Sequence, residues 1–349
     1  MRARLHTRVF IVICASFALG ALGCGDDTEE KKPPPTYSTM KPPPQGWKAA
    51  VGDGGTLLET FDDASWEVRK ITDHDLFAVS CIDNEVGWAV GAQGKVLHTE
   101  DGGWSWPAQV SGVTTTLRAV SFAFTDDDAQ VGLAAGDDGT LIATQDGGEH
   151  WFFSHATGAT LRGTAITEGA GLLVAVGDGG VVARSTSHGS AFEVSRIPGA
   201  GDLFDIALDA SGGLALTVDS AGNIWVSRDQ AKTFEREYTA SAGLEGVALG
   251  RSGLVGSAAG AGLALLRSSE GVWRSIPMLE ATPLHATLVG PTKIEPILPA
   301  TTARCSKPWT AVRACFACWP TRTPRCAASK IWKRASNPSR GALGLLTGS

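Results

Sequence analysis

The stretch that decides the fold is residues 132–151, GLAAGDDGTLIATQDGGEHW, in which two short apolar runs flank a glycine turn and a polar string ends in tryptophan. Related stretches recur about every forty residues, the period of a β-propeller blade. The other copies begin at Val51, Val90, Val176, Val218 and Ala258. The sequence therefore predicts an all-β propeller built from four-stranded blades.

A second element precedes the turn in each repeat, as in LRAVSFA from Leu117. Its alternation of apolar and polar residues predicts a strand, which we assign to the outer part of the blade. The same element starts at Leu76, Leu161, Leu203, Leu244 and Leu284. Five complete blades follow over residues 76–283. We expect seven blades, with the chain entering at Trp47 in a blade that lacks its first two strands, and a C-terminal strand pair closing the ring onto residues 47–69.

The polar string that ends each repeat has the form Ser/Thr-x-Asp-x-Gly-x-x-Trp. Glycine supplies a positive φ at little cost, and the Asp and Thr side chains can hydrogen-bond the N–H groups of the turn. The tryptophan buries a large ring, which we expect to lie between blades. The string predicts a structural turn without a catalytic role. We assign to it Thr99, Asp101, Gly103, Trp106, Thr144, Asp146, Gly148, Trp151 and, in a decayed copy, Asp229.

This string resembles the Asp-box (BNR) motif. Its combination with GWAVG and G-x-V-L in residues 87–106 resembles the photosystem II stability/assembly factor family of seven-bladed propellers, and the resemblance covers residues 47–290. The resemblance implies a non-enzymatic assembly scaffold that holds a protein or peptide partner and needs no cofactor. The same repeat occurs in many bacterial lipoproteins, so the resemblance implies a class of binding protein and not a photosynthetic role.

The N-terminus predicts export. Residues 1–23 have a basic start and an apolar run over 9–22 that is too short to span a bilayer comfortably, as in a signal peptide. The run ends in Ala-Leu-Gly-Cys24, which resembles a bacterial lipobox, so we expect Cys24 to carry lipid; a plain signal peptide with an incidental cysteine is the alternative. Residues 24–46 form a stiff Pro-rich linker. Gly25 in place of Asp favours the outer membrane over the inner membrane.

Residues 291–349 break the repeat. They hold ten Lys/Arg, one acidic residue (Glu295) and the four cysteines Cys305, Cys315, Cys318 and Cys326. Cys-x-x-Cys is a zinc spacing, which gives one interpretation of this tail. We favour another: the reading frame shifts near Pro291, because a shifted frame permits Asp-Asp-Gly-Thr-Leu-Leu-Glu-Thr, the missing repeat. The tail is then aberrant and leaves the propeller without proper closure.

A sialidase-like Asp-box glycosidase is the main alternative function, and a carbohydrate-binding surface protein is the third. Arg196 begins Arg-Ile-Pro, which resembles the substrate-binding motif of sialidases. Tyr238 beside Glu237 is the only candidate nucleophile outside the linker, but neighbours in a strand point to opposite faces. Paired carboxylates for hydrolysis could come from inner hairpins. The candidates are Asp53, Asp137 and Asp178. Because they occupy the same position in different repeats, we favour a role as turn residues.

The remaining features predict neither metal nor nucleic acid as a ligand. The run Asp126–Asp128 could bind calcium, but we favour a solvated loop, and the histidines show no metal spacing. The net charge is −6 despite the basic tail, so the repeats are acidic and repel nucleic acid. Cys81 is the only cysteine between Cys24 and the tail, which excludes an intrachain disulfide within the repeats. We expect a monomer without metal or cofactor that binds a protein or peptide.

Overall fold

The computed structural model describes residues 47–61, 65–155 and 158–276, with no side chain for His155. Apart from short 3-10 turns, every regular element in these ranges is a β-strand. The strands form six antiparallel sheets, one with three strands and five with four. The predicted propeller of four-stranded blades is confirmed. The predicted seventh blade, signal peptide, lipidation at Cys24, linker and aberrant tail lie outside the described residues.

Each sheet is made from strands that follow one another along the chain. The first three sheets hold β1 (Lys48–Gly52), β2 (Thr56–Thr60), β3 (Glu67–Lys70); β4 (Leu76–Cys81), β5 (Gly87–Gly91), β6 (Val96–Thr99), β7 (Ala108–Gln109); β8 (Leu117–Phe124), β9 (Gln130–Gly136), β10 (Thr140–Thr144) and β11 (Phe152–His155). The last three hold β12 (Leu161–Ile166), β13 (Leu173–Gly177), β14 (Val181–Ser185), β15 (Glu193–Arg196); β16 (Leu203–Leu208), β17 (Ala215–Asp219), β18 (Asn223–Ser227), β19 (Glu235–Thr239); β20 (Gly246–Leu249), β21 (Gly256–Gly260), β22 (Leu263–Arg267) and β23 (Trp273–Ile276).

The first strand of each blade lies at the propeller axis. Strands β4, β8, β12, β16 and β20 contact one another from blade to blade, whereas fourth strands such as β15 are exposed along their length. The prediction that the LRAVSFA element is an outer strand is therefore wrong. The second and third strands of the fourth blade are buried at every position because neighbouring blades cover both of their faces, while a strand at the axis is covered only in part and so alternates.

Among the described residues, the first sheet lacks one strand of a blade, not two. Strand β1 pairs with β2, and β2 pairs with β3, so residues 48–70 supply the second, third and fourth strands of a blade. The prediction that the first two strands are absent is wrong, because KAAVG over residues 48–52 is a complete second strand equivalent to GWAVG over residues 87–91. Among the described residues, only the position nearest the axis is unfilled in this sheet.

The turns fall into two sets at opposite ends of the sheets, because consecutive strands are antiparallel. The hairpins between second and third strands, together with the links between blades, form one end, which we call the hairpin face. The turns that contain the Asp boxes form the other end, which we call the box face. Each regular hairpin ends in a glycine with positive φ, as at Gly139 (φ 69°) and Gly180 (φ 73°), where a side chain would be strained.

The apolar core consists of layers between blades. Five clusters of buried residues are each shared by two consecutive blades, and one of them joins Leu133 of the third blade to Leu173 of the fourth. Both leucines are fully buried, and burial of such a side chain contributes about 1.5–3 kcal/mol. Packing between neighbours therefore holds the blades in order. The described part of the chain contains no helix long and apolar enough to cross a membrane.

Candidate functional site

The two best-preserved Asp boxes share one hydrogen-bond pattern. In the third blade, Thr144 Oγ1 donates to Asp146 Oδ1 at 2.7 Å and accepts from the N–H of Gly148 at 2.9 Å. The N–H of His150 donates to the same Asp146 oxygen at 2.9 Å. In the second blade Thr99, Asp101 and Gly103 make the equivalent bonds, and Ser105 supplies the last N–H. Each box thus closes its own turn.

The tryptophans of these boxes lie in the layers between blades. Trp106 is 9% exposed, and its ring centroid lies 6.1 Å from that of Trp47 in the first blade. Trp151 meets the ring of Phe122 edge-on at 5.8 Å, and Phe122 in turn stacks on Trp88 of the second blade. The boxes therefore position large rings that bind each blade to the preceding one.

The backbone of the box turn also accepts hydrogen bonds from the preceding blade. The carbonyl of Gly147 accepts from Trp88 Nε1 at 3.0 Å and from Gln109 Nε2 at 2.9 Å. Arg69 donates to the carbonyl of Gly103 and Arg184 to that of Gln230. No single position of the repeat predicts these donors, because they come from the second, third and fourth strands of different blades. The geometry is that of a structural turn, and the stabilising role assigned to the box residues stays a prediction until they are substituted.

The decayed box at Asp229 keeps its carboxylate contacts without the glycine. Ala231 takes the glycine position at φ 57°, and Asp229 accepts from the N–H of Thr233 at 3.0 Å and from its hydroxyl at 2.5 Å. Burial works to raise the pKa of Asp229, but the bonds from Thr233, Ser227 and Lys232 outweigh it and lower the pKa to about 2. This carboxylate is therefore ionised and fully engaged by its own turn.

A different arrangement lies on the hairpin face, at the residue that follows the buried leucine of each first strand. Four consecutive blades place an aromatic ring, two guanidinium groups and a second ring there. The Arg118 guanidinium carbon lies 5.6 Å from the centre of the Phe77 ring, and that of Arg162 lies 5.4 Å from the Phe204 ring. We call Phe77, Arg118, Arg162 and Phe204 the axial arc.

Each arginine of the axial arc binds an aspartate in the hairpin of its own blade. Arg162 donates through Nε and Nη2 to the two oxygens of Asp178, at 2.5 and 3.0 Å, and Arg118 binds Asp137 in the same way. The hydrogen bond that Arg162 donates to Asp178 raises the pKa of Arg162, although burial acts to lower it. Both arginine side chains remain about a third exposed, at 34% for Arg118 and 31% for Arg162. Each guanidinium therefore keeps N–H donors for a ligand.

Further carboxylates surround the axial arc. Burial, and then the charge of Asp75, raises the pKa of Asp53. Asp75 accepts from the N–H of Gly54 at 2.6 Å, and Asp202 accepts from the N–H of Gly179 at 2.9 Å. The hairpin face thus combines two fixed guanidinium groups with an acidic surround. The predicted hairpin carboxylates Asp53, Asp137 and Asp178 do lie in equivalent turns, two of them in ion pairs.

The residues proposed for a sialidase-like site lie apart from the axial arc. Arg196 and Tyr238 belong to the fourth strands β15 and β19 of two different blades, at the rim of the propeller. Arg196 donates to the carbonyl of Gly179 at 2.7 Å. Glu237 is committed to a structural network in which it accepts from Arg267 and Trp273. The described residues do not bring these three side chains together at the axis.

The described residues contain one group of three potential metal ligands, Asp146, Glu149 and His150, whose ligand atoms lie within 4.8 Å of one another. All three are exposed, and Asp146 is already bonded to Thr144 and His150. The calcium alternative at Asp126–Asp128 is not among such groups. A shallow cavity of about 470 Å³ lies beside the Asp146 turn. One of its walls is His98, whose pKa burial lowers even though Glu100 acts to raise it.

Known structures resemble this fold. YCF48 bound to D1 peptide is 24% identical, with 66% of this chain and 76% of that chain covered and a TM-score of 0.52. YCF48 from Cyanidioschyzon merolae is 16% identical, with 66% and 81% covered and a TM-score of 0.53. A chain of the mitotic checkpoint complex is 9% identical, with 66% and 70% covered and a TM-score of 0.52. No protein-family model and no curated protein matches the chain.

At these identities the similarity establishes the fold. YCF48 is a photosystem II assembly factor, so the resemblance of the sequence to propellers of that kind is matched by the structure. Blades of the same construction occur in the mitotic checkpoint complex, which shows that this fold serves unrelated assemblies. A function for this chain must therefore be argued from its own side chains.

Proposed function

We propose that this chain is a non-catalytic propeller that holds a protein or peptide partner against its hairpin face. The observation that carries the proposal is the axial arc, where Arg118 and Arg162 occupy the same position of two consecutive first strands and each lies over a phenyl ring. A peptide carboxylate or backbone carbonyl can accept from the guanidinium donors that the aspartates leave unused. An adjacent apolar side chain of the partner can contact Phe77 or Phe204.

The solved YCF48 structures support this proposal by example. One of them holds a D1 peptide, so a propeller of similar construction accommodates a peptide. The chain described here differs from it at three positions in four, and its partner is therefore defined only by chemistry: a segment that offers oxygen acceptors next to an apolar side chain. We expect the propeller to act as a monomer, since its axial arc is formed within one chain.

The location of the protein is a further part of the proposal. Lipid on Cys24 would hold the chain in the bacterial envelope, with the outer membrane as the destination, and residues 25–46 would act as a spacer before the first sheet at Trp47. Labelling of the full chain with a radioactive fatty acid tests this. We expect label in the unchanged chain and none in the Cys24→Ala variant. Equal labelling of both would contradict the lipid anchor.

Partner binding is tested by affinity capture from detergent-solubilised envelope. The full chain carries Arg118→Ala and Arg162→Ala together, and Arg251→Ala is the matched control, because Arg251 is an exposed arginine paired with Glu168 on the box face. We expect the arc variant to lose about 90% or more of any specifically captured protein, and the control to retain it. Capture of the same protein by all three chains would refute the axial arc as the site.

Enzymatic turnover is the competing outcome. A panel of 4-methylumbelliferyl glycosides is incubated with the full chain, with Arg196→Ala and with Tyr238→Phe. We expect no turnover above the level of a mock preparation. Hydrolysis that is lost in either variant would favour the glycosidase function and overturn the binding proposal.

A further inference from the structure

A second cavity lies on the hairpin face, between the second and third blades. Its volume is about 350 Å³, which lies within the range of sites that hold a small ligand. Its walls include Val113 and Thr115 of the link between the two blades, Asp138 of the hairpin, Thr140 of β10 and Phe153 of β11. Among the described residues that line the cavity, none is a lysine or an arginine.

The cavity shares a hairpin with the axial arc. Asp137 binds Arg118 through both carboxylate oxygens, and Asp138 is the next residue. Neighbouring strands lie about 4.8 Å apart, so the first and fourth strands of a blade are about 14 Å apart. An extended segment rises about 3.3 Å per residue, and it therefore passes from Arg118 to the outer wall of the cavity in about three or four residues. A partner held by the arc reaches this cavity with the same segment.

Asp138 holds a side chain at a position where other blades have glycine. Its φ is 55°, in the left-handed region, and Gly54 and Gly179 take the same place at φ 64° and 65°. A residue other than glycine is disfavoured there, although aspartate tolerates it better than most. In the second blade Gln93 takes this place at φ 57°, and its Oε1 lies 3.1 Å from His74 Nε2. The side chain of Gln93 thus has a partner within the chain.

The carboxylate of Asp138 has no such partner among the described residues. It is exposed, and Arg118 of the same blade binds Asp137 instead. The hairpin face carries further carboxylates nearby in Asp75 and Asp202. The charge at the mouth of the cavity is therefore negative and is not neutralised within the described chain, so the cavity attracts a cation.

Phe153 adds an aromatic wall to this charge. It is 60% exposed and pairs with Ile142 of β10. The equivalent residues of the first, second and fourth blades are Val68, Ala108 and Val194. The third blade is the one of these four that has a ring here. The face of an aromatic ring attracts an ammonium or guanidinium group, and a carboxylate beside it favours the same ligand.

We propose that this cavity binds a lysine or arginine side chain of the partner segment that the axial arc holds. This inference rests on the proposed function, because the arc supplies the rest of the binding surface. The aliphatic stem of the basic residue packs on Phe153 and Val113, and its charged end pairs with Asp138. The partner thus carries a basic residue about three or four positions from the group that accepts from Arg118.

An array of immobilised random dodecapeptides tests this preference. The full chain is applied unchanged, as Asp138→Asn and as the matched control Asp128→Asn. Asp128 is also an exposed aspartate with positive φ (59°), in the turn between β8 and β9 at the opposite end of the same blade. Asparagine adopts this conformation as readily as aspartate, so each substitution removes only the charge.

The unchanged chain and the control are expected to select peptides that have lysine or arginine about three or four positions from an acidic residue. In Asp138→Asn we expect the selection for the basic residue to disappear, while the selection for the acidic residue remains. Enrichment of apolar residues in place of basic ones, with the unchanged chain, would overturn the inference.

Fluorescence anisotropy with one selected peptide measures the contact directly. The basic residue of the peptide is replaced by norleucine, which keeps an aliphatic stem and removes the charge. We expect this replacement to weaken binding about tenfold or more to the unchanged chain and to Asp128→Asn, and about twofold or less to Asp138→Asn.

Two kinds of failure are distinguishable. Equal losses in the unchanged chain and in Asp138→Asn would overturn the inference and leave the axial arc as the binding surface. If the unchanged chain binds no peptide, or if binding survives the joint Arg118→Ala and Arg162→Ala change, the proposed function fails together with the inference.

Discussion

Aspartates at the box face and aspartates near the axis have opposite environments in the same propeller. Asp229 receives several donors from its own turn, which hold its pKa at about 2 although burial acts to raise it. Asp205 on β16 is partly buried among the first strands, and the desolvation of its carboxyl group raises its pKa to about 7. Its carboxylate accepts from the N–H groups of Ile206 and of Val247 in the next blade, and these offset only part of the burial cost.

The difference shows how a repeat distributes its carboxylates. At the box face the donors lie within four residues of the acceptor. The motif therefore supplies all the hydrogen bonds that its carboxylate needs, and the same arrangement recurs in every blade that keeps the motif. Near the axis the partner comes from another blade, as Val247 does for Asp205, or is a side chain such as Arg162. Carboxylates of the first kind stabilise the turn, whereas those of the second kind shape a surface.

The largest expected effect concerns the pH dependence of Asp205. Its pKa is raised in the folded state, so the folded chain holds a proton that the unfolded chain releases, and stability falls as pH rises from about 4 to 7 by up to about 1.4 kcal/mol per pH unit. Asp205→Asn removes this contribution. We expect the variant to gain stability relative to the unchanged chain across that window, and the difference to level off above pH 7.

Urea denaturation of both full chains at half-unit steps from pH 4 to 8 measures this difference. At pH 4 the two chains should be of similar stability, because the amide of asparagine resembles a protonated carboxyl group in shape and hydrogen bonding. Parallel stability curves for the two chains would show that Asp205 is ionised throughout, and the comparison with the box aspartates would fail.

The second effect separates a box that keeps its carboxylate from a box that has serine at the same position. Asp229→Ala removes an acceptor of four donors, and we expect a loss of about 2–3 kcal/mol in the free energy of unfolding at pH 7. Ser187→Ala at the same position of the fourth blade removes a neutral hydroxyl and should cost about 0.5–1.5 kcal/mol.

The stability that Asp229 contributes changes with pH in the opposite direction to that of Asp205. The pKa of Asp229 is lowered in the folded chain, so its contribution is present above pH 4 and is lost as pH falls from about 4 to 2. Denaturation curves of the Asp229→Ala and Ser187→Ala chains at pH 7 and pH 3 check both statements. Equal losses in the two variants at pH 7 would mean that the box needs a turn-capping oxygen but no charge.

Much of the fold could be predicted from the sequence because its signals are local. The hairpin glycines and the Asp-box strings determine turns within about ten residues, and six blades follow from their spacing. The order of strands within a blade could not be predicted. The alternation in LRAVSFA indicates a strand with one partly exposed face, but such a strand can lie either at the axis or at the rim. The number of strands in the first sheet was also predicted wrongly. KAAVG is a short apolar strand that has little alternation and no motif of its own, so it is harder to recognise than the glycine hairpin that follows it.

The axial arc was missed although its positions were visible. Phe77, Arg118, Arg162 and Phe204 each follow the first leucine of a recognised element. Once first strands are known to lie at the axis, a variable residue at this constant position becomes the natural place to search for a binding surface. Asp137 and Asp178 were predicted to be turn residues. The structure shows that each one binds an arginine on the first strand of its own blade.

The smallest expected effect lies in the axial arc itself. Arg162→Gln and Asp178→Asn, alone and together, form a double-mutant cycle on a pair whose side chains are about a third exposed. We expect a coupling energy below about 1 kcal/mol in urea denaturation at pH 7, because water screens such pairs. With so little stability at stake, arc variants remain folded, and a loss of partner capture in them reports on binding. A coupling energy above about 2 kcal/mol would instead place this pair with the box turns as a structural element, and the surface that we assign to the partner would have to lie elsewhere on the propeller.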